Sequence, residues 1–329
     1  MSKYLVTGGA GFIGSHVAEA LLAQGDEMVL LDAFDPYYDV NRKRRNAAEV
    51  LEAGAGRATL LEGDVRDPKL VYPALDGVDG VVHLAARPGV RASVDDPQLT
   101  FDVNLMGTLN LLQALRARQE AGHGAPRLVF ASSSSVYGGD AVAPFREDQP
   151  ASRPLSPYAA SKRAGEHLCA SYVELFGFGV IVLRFFTVYG PRGRPDMAIG
   201  HFSRRALLGE PVTLFGDGSA VRDFTYVDDV VAGVVTALDQ TTPGEFEVLN
   251  LGGGNTATMR ELLALIERAA ERPLRVERRA AAAGDMPLTQ ADLTRVEARL
   301  GWRAQVSLAE GVGRAVAWTR AQLEIEAAR

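Results

Sequence analysis

The chain has 329 residues, 47% of them hydrophobic, and carries a net charge of −6 at pH 7. This length supplies a large core and predicts two lobes, and the acidic balance argues against nucleic acid or an anionic membrane as the main partner. The one cysteine, Cys169, excludes an intrachain disulfide, and no stretch is long and apolar enough to span a bilayer. We therefore expect a cytoplasmic protein without a signal peptide.

Apolar runs alternate with helical patterns through the first half of the chain. Runs without polar alternation are buried on both faces, which predicts a parallel sheet between helix layers. The sequence thus predicts an α/β fold with a doubly wound parallel sheet in residues 1–180 and a smaller α/β domain in residues 181–329. A strand and helix within 220–250 could return to the first sheet. The six runs are residues 4–6, 28–31, 58–61, 80–83, 127–131 and 179–184.

Glycines follow the first run at spacings of three. Gly8, Gly11 and Gly14 precede or open a helical pattern that includes Phe12 and Ile13. Glycines permit a tight turn, and the free N–H groups of a helix start, with the helix dipole behind them, suit a pyrophosphate. Three glycines also fit a plain strand-to-helix turn, so the choice depends on the later strands.

The ends of the next strands carry residues that suit a dinucleotide. Asp32 ends the second run, 18 residues after Gly14, where a carboxylate accepts hydrogen bonds from an adenosine ribose and repels a 2′-phosphate. This favours NAD over NADP, although the basic run 42–45 could reach such a phosphate or form a solvated helix face. Asp64 and Val65 follow the third run and suit an adenine edge. Small residues that admit a cofactor follow the fourth run; they are Leu84, Ala85 and Ala86.

The fifth run leads into a cluster of serines, followed by a predicted helix with a Tyr-x-x-x-Lys spacing. Ser156 is placed to cap that helix, so Tyr158 and Lys162 lie one turn apart on one face. A lysine ammonium and a nicotinamide ring would lower the tyrosine pKa from about 10. The phenolate could then take a proton from a sugar hydroxyl while hydride leaves for NAD, with Ser133 holding the same oxygen. A surface pair is the plain alternative, and the place behind this strand favours catalysis.

Taken together, these motifs resemble the extended short-chain dehydrogenases/reductases, the NAD-dependent epimerase/dehydratase family of nucleotide-sugar enzymes. The resemblance covers the whole length and implies a Rossmann lobe with retained NAD, a C-terminal lobe for the nucleotide diphosphate, and a homodimer formed through helices at about 99–118 and 157–176. It is carried by Thr-Gly-Gly-Ala-Gly-Phe-Ile-Gly at 7–14, His-Leu-Ala-Ala at 83–86, Ser-Val-Tyr-Gly at 135–138, Tyr158 with Lys162, and Arg-Asp-Phe at 222–224.

Within this family, the stretch 184–197 is similar to the UDP-glucuronate 4-epimerases. The similarity implies NAD-dependent epimerisation at C4, from UDP-glucuronate to UDP-galacturonate, through a 4-keto intermediate that keeps its carboxylate. It also implies that Arg194, Thr187 and Ser134 hold the sugar carboxylate, and a guanidinium fork with hydroxyls suits that group. Solvated loop arginines are the plain alternative for Arg192 and Arg194. Family dehydratases and decarboxylases carry acids next to the catalytic threonine, where this chain has serines.

The same resemblance places further residues at the UDP end of the substrate. Arg222 corresponds to the family arginine on the diphosphate, and Asp285 to the acid near the uridine ribose. Arg91 approaches the sugar or pairs with an acid, and both interpretations stay open. Asp228 and Asp229 are expected to cap a helix.

Two other functions remain open. A 4-epimerase of a neutral UDP-sugar is disfavoured, because such enzymes typically have Asn in place of Thr187, and some have Arg in place of Ala282. A non-catalytic NAD-binding regulator is disfavoured, because those proteins commonly lack the Tyr or the Lys. The predicted cofactor is NAD, the predicted partner is a UDP-sugar, and no metal is expected.

Overall fold

The computed structural model describes residues 1–280 and 286–327. The strands are β1 (Lys3–Thr7), β2 (Glu27–Asp32), β3 (Ala58–Glu62), β4 (Gly80–His83), β5 (Arg127–Ser133), β6 (Gly179–Phe185), β7 (Thr187–Tyr189), β8 (Val212–Phe215), β9 (Val221–Tyr226), β10 (Phe246–Leu251), β11 (Asn255–Thr258) and β12 (Val276–Arg279).

The helices lie mostly between the strands in the chain. They are α1 (Phe12–Ala23), α2 (Val40–Gly54), α3 (Pro68–Ala74), α4 (Val90–Asp95), α5 (Pro97–Phe101), α6 (Gly107–Glu120), α7 (Pro157–Phe176), α8 (Ala198–Leu208), α9 (Val227–Gln240), α10 (Met259–Ala270), α11 (Thr294–Leu300) and α12 (Leu308–Ala327). A π-helical turn covers Asp102–Met106, and a 3₁₀ turn covers Ser134–Tyr137.

A parallel seven-stranded sheet forms the centre of the molecule, in the order β10-β6-β5-β4-β1-β2-β3. The strand order reverses between β1 and β4, so the connections that leave these two strands diverge and open a crevice at their carboxyl ends. The predicted doubly wound parallel sheet is confirmed.

The core lies on both faces of this sheet because successive strand residues point to opposite sides. Val6 packs in the cluster that contains α1 and α9, whereas its neighbour Leu5 packs in the cluster that contains α3, α6 and α7. Val82 and Val81 of β4 divide in the same way. Burial on both sides explains why these strands are continuous apolar runs in the sequence.

The second half of the chain contributes to two regions. β10 pairs in parallel with β6, and α9 packs on the core face that α1 covers, so residues 227–251 lie with the large sheet. The remaining strands form a three-stranded sheet, β11-β9-β7, and a two-stranded sheet, β12-β8. How the chain divides into domains stays a prediction.

The start of α9 differs from the expected capping. Its N-cap is Tyr226, without a side-chain capping bond, and Asp228 and Asp229 lie in the first turn. The carboxylate of Asp229 accepts from the backbone N–H groups of Gln305 (2.9 Å) and Val306 (3.0 Å). The prediction that these two aspartates cap the helix was therefore wrong, because Asp229 instead ties α9 to the loop before α12.

None of the helices in residues 1–280 and 286–327 combines the length and the apolar character that crossing a membrane requires.

Candidate active site

The glycine turn after β1 is shaped by contacts that exclude a side chain. Gly8 has a φ of +70°, and its N–H donates to the carbonyl of Leu31 at 2.7 Å. A Cβ on Gly14 would lie 2.2 Å from the carbonyl oxygen of Gly8, and one on Gly8 would lie 2.9 Å from the nitrogen of Ala85. Gly11 is the N-cap of α1 and has no side chain to occupy the helix start. The turn thus presents backbone N–H groups to the crevice.

A cavity of about 220 Å³ follows the carboxyl ends of β1 to β5. It brings together the predicted dinucleotide residues, the Tyr–Lys pair and Arg194. Its predicted lining residues are Gly8, Gly11, Phe12, Ile13, Gly14, Asp32, Asp64, Val65, Leu84, Ala85, Ala86, Tyr158, Lys162 and Arg194.

Asp32 is buried at the edge of this cavity. Its Oδ2 accepts from the N–H of Ala10 at 3.0 Å, and its Oδ1 accepts from the N–H of Phe34 at 2.8 Å. Burial raises the pKa of Asp32, while the Phe34 hydrogen bond and the positive charge of Lys43 counter the rise. The two backbone bonds fix the carboxylate where a ribose would meet it.

The basic run on α2 is only partly a solvated surface. Arg44 is exposed and pairs with Glu62 at 2.8 Å. Lys43, by contrast, is buried, lines the cavity and donates to the carbonyl of Asp35 at 2.8 Å. The interpretation as a solvated helix face was wrong for Lys43, because the first turn of α2 faces the cavity.

Asp64 and Val65 occupy the next position along the strand ends. Arg66 binds the Asp64 carboxylate through Nε and Nη2, with the shorter contact at 2.7 Å. Burial works to raise the pKa of Asp64, but the hydrogen bonds from Arg66 outweigh it and lower the pKa. Val65 packs so closely on α6 that a Cβ on Gly107 would lie 2.6 Å from its side chain.

His83 is a buried histidine that braces the strand ends rather than a catalytic base. Its Nδ1 lies 2.7 Å from Oγ1 of Thr7, and its Nε2 lies 3.0 Å from Oγ1 of Thr108. Burial, together with the charge of Lys162, lowers the pKa of His83 to about 3, so the ring is neutral. The Thr7 hydroxyl also accepts from the N–H of Ala85, at 3.2 Å, which holds the small residues against the glycine turn.

The start of α7 brings the tyrosine, the lysine and the serine together. The Ser156 hydroxyl caps the helix as predicted. The Ser133 side chain is near enough to the Tyr158 hydroxyl to lower its pKa, and Lys162 Nζ donates to the carbonyl of Ala131 at 2.8 Å. Proton-transfer groups therefore meet at the end of β5, beside the cavity.

The electrostatics of this cluster differ from the expected effect of the lysine. Burial raises the pKa of Tyr158, and the Ser133 hydrogen bond and the charge of Arg194 counter it in part. Burial lowers the pKa of Lys162 to about 8. Among the protein's own groups, Ser133 and Arg194 rather than Lys162 favour the phenolate, because the lysine is turned to the Ala131 carbonyl.

Ser135 is a neighbour of Ser133 whose role the sequence did not reveal. Its hydroxyl lies 2.7 Å from that of Ser133, and its N–H donates to the same oxygen at 3.2 Å. These bonds orient the Ser133 hydroxyl, which also caps the 3₁₀ turn that holds Ser134.

The loop after β7 places its two arginines differently. Arg194 lines the cavity and binds Asp196 through Nε at 3.0 Å and Nη2 at 3.1 Å. Arg192 pairs with Glu19 of α1 at 2.7 Å and also with Glu49 of α2. Neither is a free loop arginine, and of the two, Arg194 lines the cavity.

Several predicted residues, among them Ser133, do not line this cavity. Ser134 is in the 3₁₀ turn, and Thr187 begins β7. Arg91 is exposed and stacks over the Phe215 ring at 4.5 Å, and Arg222 donates to the carbonyl of Val221 at 2.9 Å. Asp285 and Ala282 lie outside the described residues. The roles of all these residues toward a substrate stay predictions.

Residues 4–252 match the family model described as the NAD dependent epimerase/dehydratase family. The chain belongs to this family. It is 37% identical over 327 residues to a UDP-glucuronate 4-epimerase of Thermodesulfobacterium geofontis, covering 99% of this chain and 98% of the relative.

Solved structures of the family show the same fold. A UDP-glucuronic acid 4-epimerase from Bacillus cereus in complex with UDP-glucuronic acid and NAD superposes with a TM-score of 0.89 at 36% identity, covering 97% of this chain and 99% of that one. A Thermus thermophilus UDP-glucose 4-epimerase in complex with NAD gives 0.83 at 36% identity, covering 97% and 99%. The predictions of the family and of NAD as cofactor are confirmed.

Sequence reasoning missed residues that line the NAD end of the cavity. They come from the loops after β2 and β4, directly beyond residues that were predicted. Asp196, which binds Arg194, was also missed and lies two positions after it. Proximity in sequence to a predicted residue was thus the available signal. The missed lining residues include Asp35, Tyr37, Tyr38 and Arg87. Within the described parts of the chain, no group of three or more His, Cys, Asp or Glu side chains is placed to hold a metal ion.

Proposed function

We propose that this chain is an isomerase, an NAD-dependent UDP-glucuronate 4-epimerase that interconverts UDP-glucuronate and UDP-galacturonate. The observation that carries the proposal is that Arg194 lines the same cavity as Tyr158 and Lys162. A cation that suits a carboxylate then lies beside groups that suit a sugar hydroxyl. The similarity to the Thermodesulfobacterium and Bacillus enzymes supports the same substrate.

The residues of the cavity fit NAD. The glycine turn has no room for side chains, and the small residues after β4 lie against it. Asp32 offers carboxylate oxygens beside the helix start, which suits a ribose and disfavours an added phosphate. The chemistry that NAD would supply there is reversible hydride transfer with C4 of the sugar, on either face of the sugar ring.

The protein's own groups handle the proton. Tyr158, as the phenolate, takes the proton of the C4 hydroxyl and gives it back when the ketone is reduced. Ser133 holds the same oxygen, and Ser135 orients Ser133. Lys162, fixed on the Ala131 carbonyl, anchors the helix face that carries Tyr158. Oxidation and reduction cancel, so the reaction has no net redox change.

The substrate carboxylate needs restraint during the reaction. Oxidation at C4 puts a ketone β to the carboxylate, and such acids lose carbon dioxide readily. We infer that Arg194, Thr187 and Ser134 hold the bond to the carboxylate near the ketone plane, where its electrons do not feed the carbonyl. Serines at 134 and 135 supply no acid to expel water, which disfavours dehydration.

The UDP moiety is proposed to lie toward the second half of the chain. Arg222 on β9 is the proposed diphosphate contact, and Asp285 the proposed ribose contact. The Arg91 guanidinium lies over the Phe215 ring at 4.5 Å and links α4 to β8. Arg91 is proposed as a further substrate contact. The proposed division of labour is an NAD-binding domain in residues 1–180, with residues 220–250 returning to it, and a substrate domain in 181–329.

We also propose a cytoplasmic homodimer. The helices expected at the interface, α6 and α7 with the π-helical turn, carry exposed apolar side chains, among them Met106 (46% exposed) and Leu175 (69%). Cys169 is a buried free thiol, which suits a reducing compartment. Sedimentation velocity at micromolar concentration should give twice the mass of one chain, and a monomer would contradict the dimer.

The substrate is tested by incubating the protein with UDP-glucuronate or with UDP-glucose and following the products by NMR. We expect UDP-galacturonate from the first and little or no turnover of the second. Turnover of UDP-glucose alone would replace the proposal with the rival, a 4-epimerase of neutral UDP-sugars. Absence of turnover with both, with NAD bound, would favour a non-catalytic regulator.

A further inference from the structure

A hydrogen-bonded chain links the cofactor end of the cavity to its sugar end. The Tyr37 hydroxyl donates to Oδ2 of Asp196 at 3.2 Å, and Asp196 accepts from Nε and Nη2 of Arg194. Tyr37 comes from the loop after β2, whereas Arg194 and Asp196 come from the loop after β7. Tyr37 and Arg194 both line the cavity.

Asp196 binds one edge of the Arg194 guanidinium and leaves a second edge for another carboxylate. A guanidinium has five N–H groups, and the two bonds to Asp196 take the Nε–H and one N–H of Nη2. The edge formed by Nη1 and the second N–H of Nη2 can still bind a carboxylate with two parallel bonds. Asp196 and a substrate carboxylate can therefore bind Arg194 at the same time.

Tyr37 is itself held on two sides. Its N–H donates to Oδ1 of Asp35 at 2.8 Å, and the same oxygen accepts from Arg87 at 2.6 Å. The Arg87 guanidinium lies over the Tyr37 ring at 4.9 Å. A Cβ on Gly89, which has a φ of +99°, would lie 2.6 Å from the Tyr37 hydroxyl. The glycine in the loop after β4 therefore leaves room for that hydroxyl.

We propose that Asp196, held by Tyr37, is a positioning residue that fixes the orientation of Arg194 and thereby keeps the 4-keto acid from losing its carboxylate. The inference rests on the proposed function, in which Arg194 binds the sugar carboxylate. Asp196 is 44% exposed and touches neither Tyr158 nor Lys162 in the contacts of the described residues, so it acts through Arg194.

The reaction that Asp196 prevents is defined by its bonds. After hydride has left C4, the bond between C5 and the carboxylate carbon breaks, and its electron pair moves through C5 to the C4 oxygen as an enolate. Carbon dioxide departs, and C5 then takes up a proton, which leaves a UDP-4-ketopentose. The oxidation that makes this possible is already part of the proposed epimerisation, so no further reactant is needed.

Asp196→Asn tests the proposal because it removes the charge and replaces one of the two acceptor oxygens by an NH2 group, with little change of size. Arg194 keeps its full charge, so the KM for UDP-glucuronate should stay the same or fall. The Arg194 guanidinium loses its fixed orientation, so kcat should fall roughly tenfold. This is less than the roughly hundredfold loss of rate that a misplacement of about 1 Å can cause. The ratio of carbon dioxide released to UDP-galacturonate formed should rise severalfold.

Tyr37→Phe removes one hydroxyl and should change the same ratio in the same direction by less. Because Tyr37 acts through Asp196, the double variant should match Asp196→Asn alone. Glu49→Gln is the matched control. It removes a carboxylate partner of Arg192, which lies in the same loop as Arg194, and leaves the contacts of Arg194 in place. That variant should retain the wild-type kcat, KM and product ratio, and melting temperature and NAD content should be equal in all variants.

The outcomes separate the two claims. If the wild-type protein makes UDP-galacturonate and Asp196→Asn leaves kcat and the product ratio unchanged, the positioning role is overturned and the proposed function stands. If Asp196→Asn raises KM with kcat and the product ratio unchanged, Asp196 supports binding alone, and the proposal also fails. A wild-type protein that makes no UDP-galacturonate would instead overturn the proposed function.

Discussion

Lys162 Nζ donates to the backbone carbonyl of Ala131 at 2.8 Å, at the point where β5 reaches the cavity. The bond fixes the fully buried lysine to the sheet rather than to the tyrosine one turn before it on α7. The lysine thus positions the helix face, while the Ser133 side chain favours the Tyr158 phenolate. The proton-transfer step then depends on Tyr158 and Ser133 together.

Tyr158→Phe removes the proposed acceptor of the C4 proton. We expect kcat to fall by about 10²- to 10⁴-fold, which is the usual contribution of a positioned acid or base. The phenyl ring keeps the packing, so NAD should stay bound, as judged by the absorbance of the purified protein after denaturation. Activity equal to wild type in this variant would exclude Tyr158 as the base.

Arg194→Ala removes the proposed carboxylate fork. We expect kcat/KM for UDP-glucuronate to fall roughly a hundredfold or more, in line with the loss of a charge-assisted bidentate contact of about 3 kcal/mol. The fraction of turnovers that release carbon dioxide should rise. Arg194→Lys keeps the positive charge but not the two parallel N–H donors. Compared with Arg194→Ala, it should therefore recover the binding of UDP-glucuronate more than it lowers the fraction of turnovers that release carbon dioxide. Unchanged turnover and an unchanged decarboxylated fraction in Arg194→Ala would contradict this role.

Gly14→Ala tests the shape of the glycine turn. The added Cβ would lie 2.2 Å from the Gly8 carbonyl oxygen, so the turn must shift and the NAD content of the purified protein should drop sharply. Gly313→Ala is the control, because that glycine is in α12 with open space where a Cβ would be. It should keep its NAD and gain up to about 1 kcal/mol of stability from helix propensity. Full NAD occupancy in Gly14→Ala would contradict the close approach.

The neutral, buried His83 makes a prediction for stability against pH. Its pKa is lowered from 6.5 to about 3, so between these values the unfolded chain binds a proton that the folded chain does not. The contribution of His83 is therefore complete above about pH 6.5 and is lost as the pH falls toward 3, by up to roughly 1.4 kcal/mol per pH unit. In urea unfolding between pH 7 and 4, His83→Gln should show a shallower fall of the free energy of unfolding than wild type. Equal slopes would contradict a neutral His83.

Much of this site could be predicted, because many of its residues belong to short patterns in the sequence. The glycine spacing, the acid at the end of β2 and the Tyr-x-x-x-Lys spacing each depend on a single strand end or helix turn. Observed strands begin within a residue of the predicted runs in the first half; Gly80–His83 matches throughout. Burial on both faces made those runs continuous and easy to recognise.

The rest depends on contacts between segments that are distant in sequence, and local patterns do not encode these. Asp229 resembles a helix cap, but it binds the backbone of Gln305 and Val306. Lys43 resembles a surface residue, but it is buried against the cavity. The Tyr37–Asp196 bond joins residues 159 positions apart, and the lowered pKa of Lys162 arises from burial that only the packed fold creates.

We propose that this protein turns over a carboxylate-bearing UDP-sugar at C4 without loss of carbon. The most direct measurement is ¹H NMR of the purified protein with UDP-glucuronate, with and without added NAD. We expect UDP-galacturonate to accumulate to a constant ratio with UDP-glucuronate, with no UDP-pentose and no net change in NADH. Accumulation of a UDP-pentose as the main product, or no conversion in the presence of NAD, would contradict it.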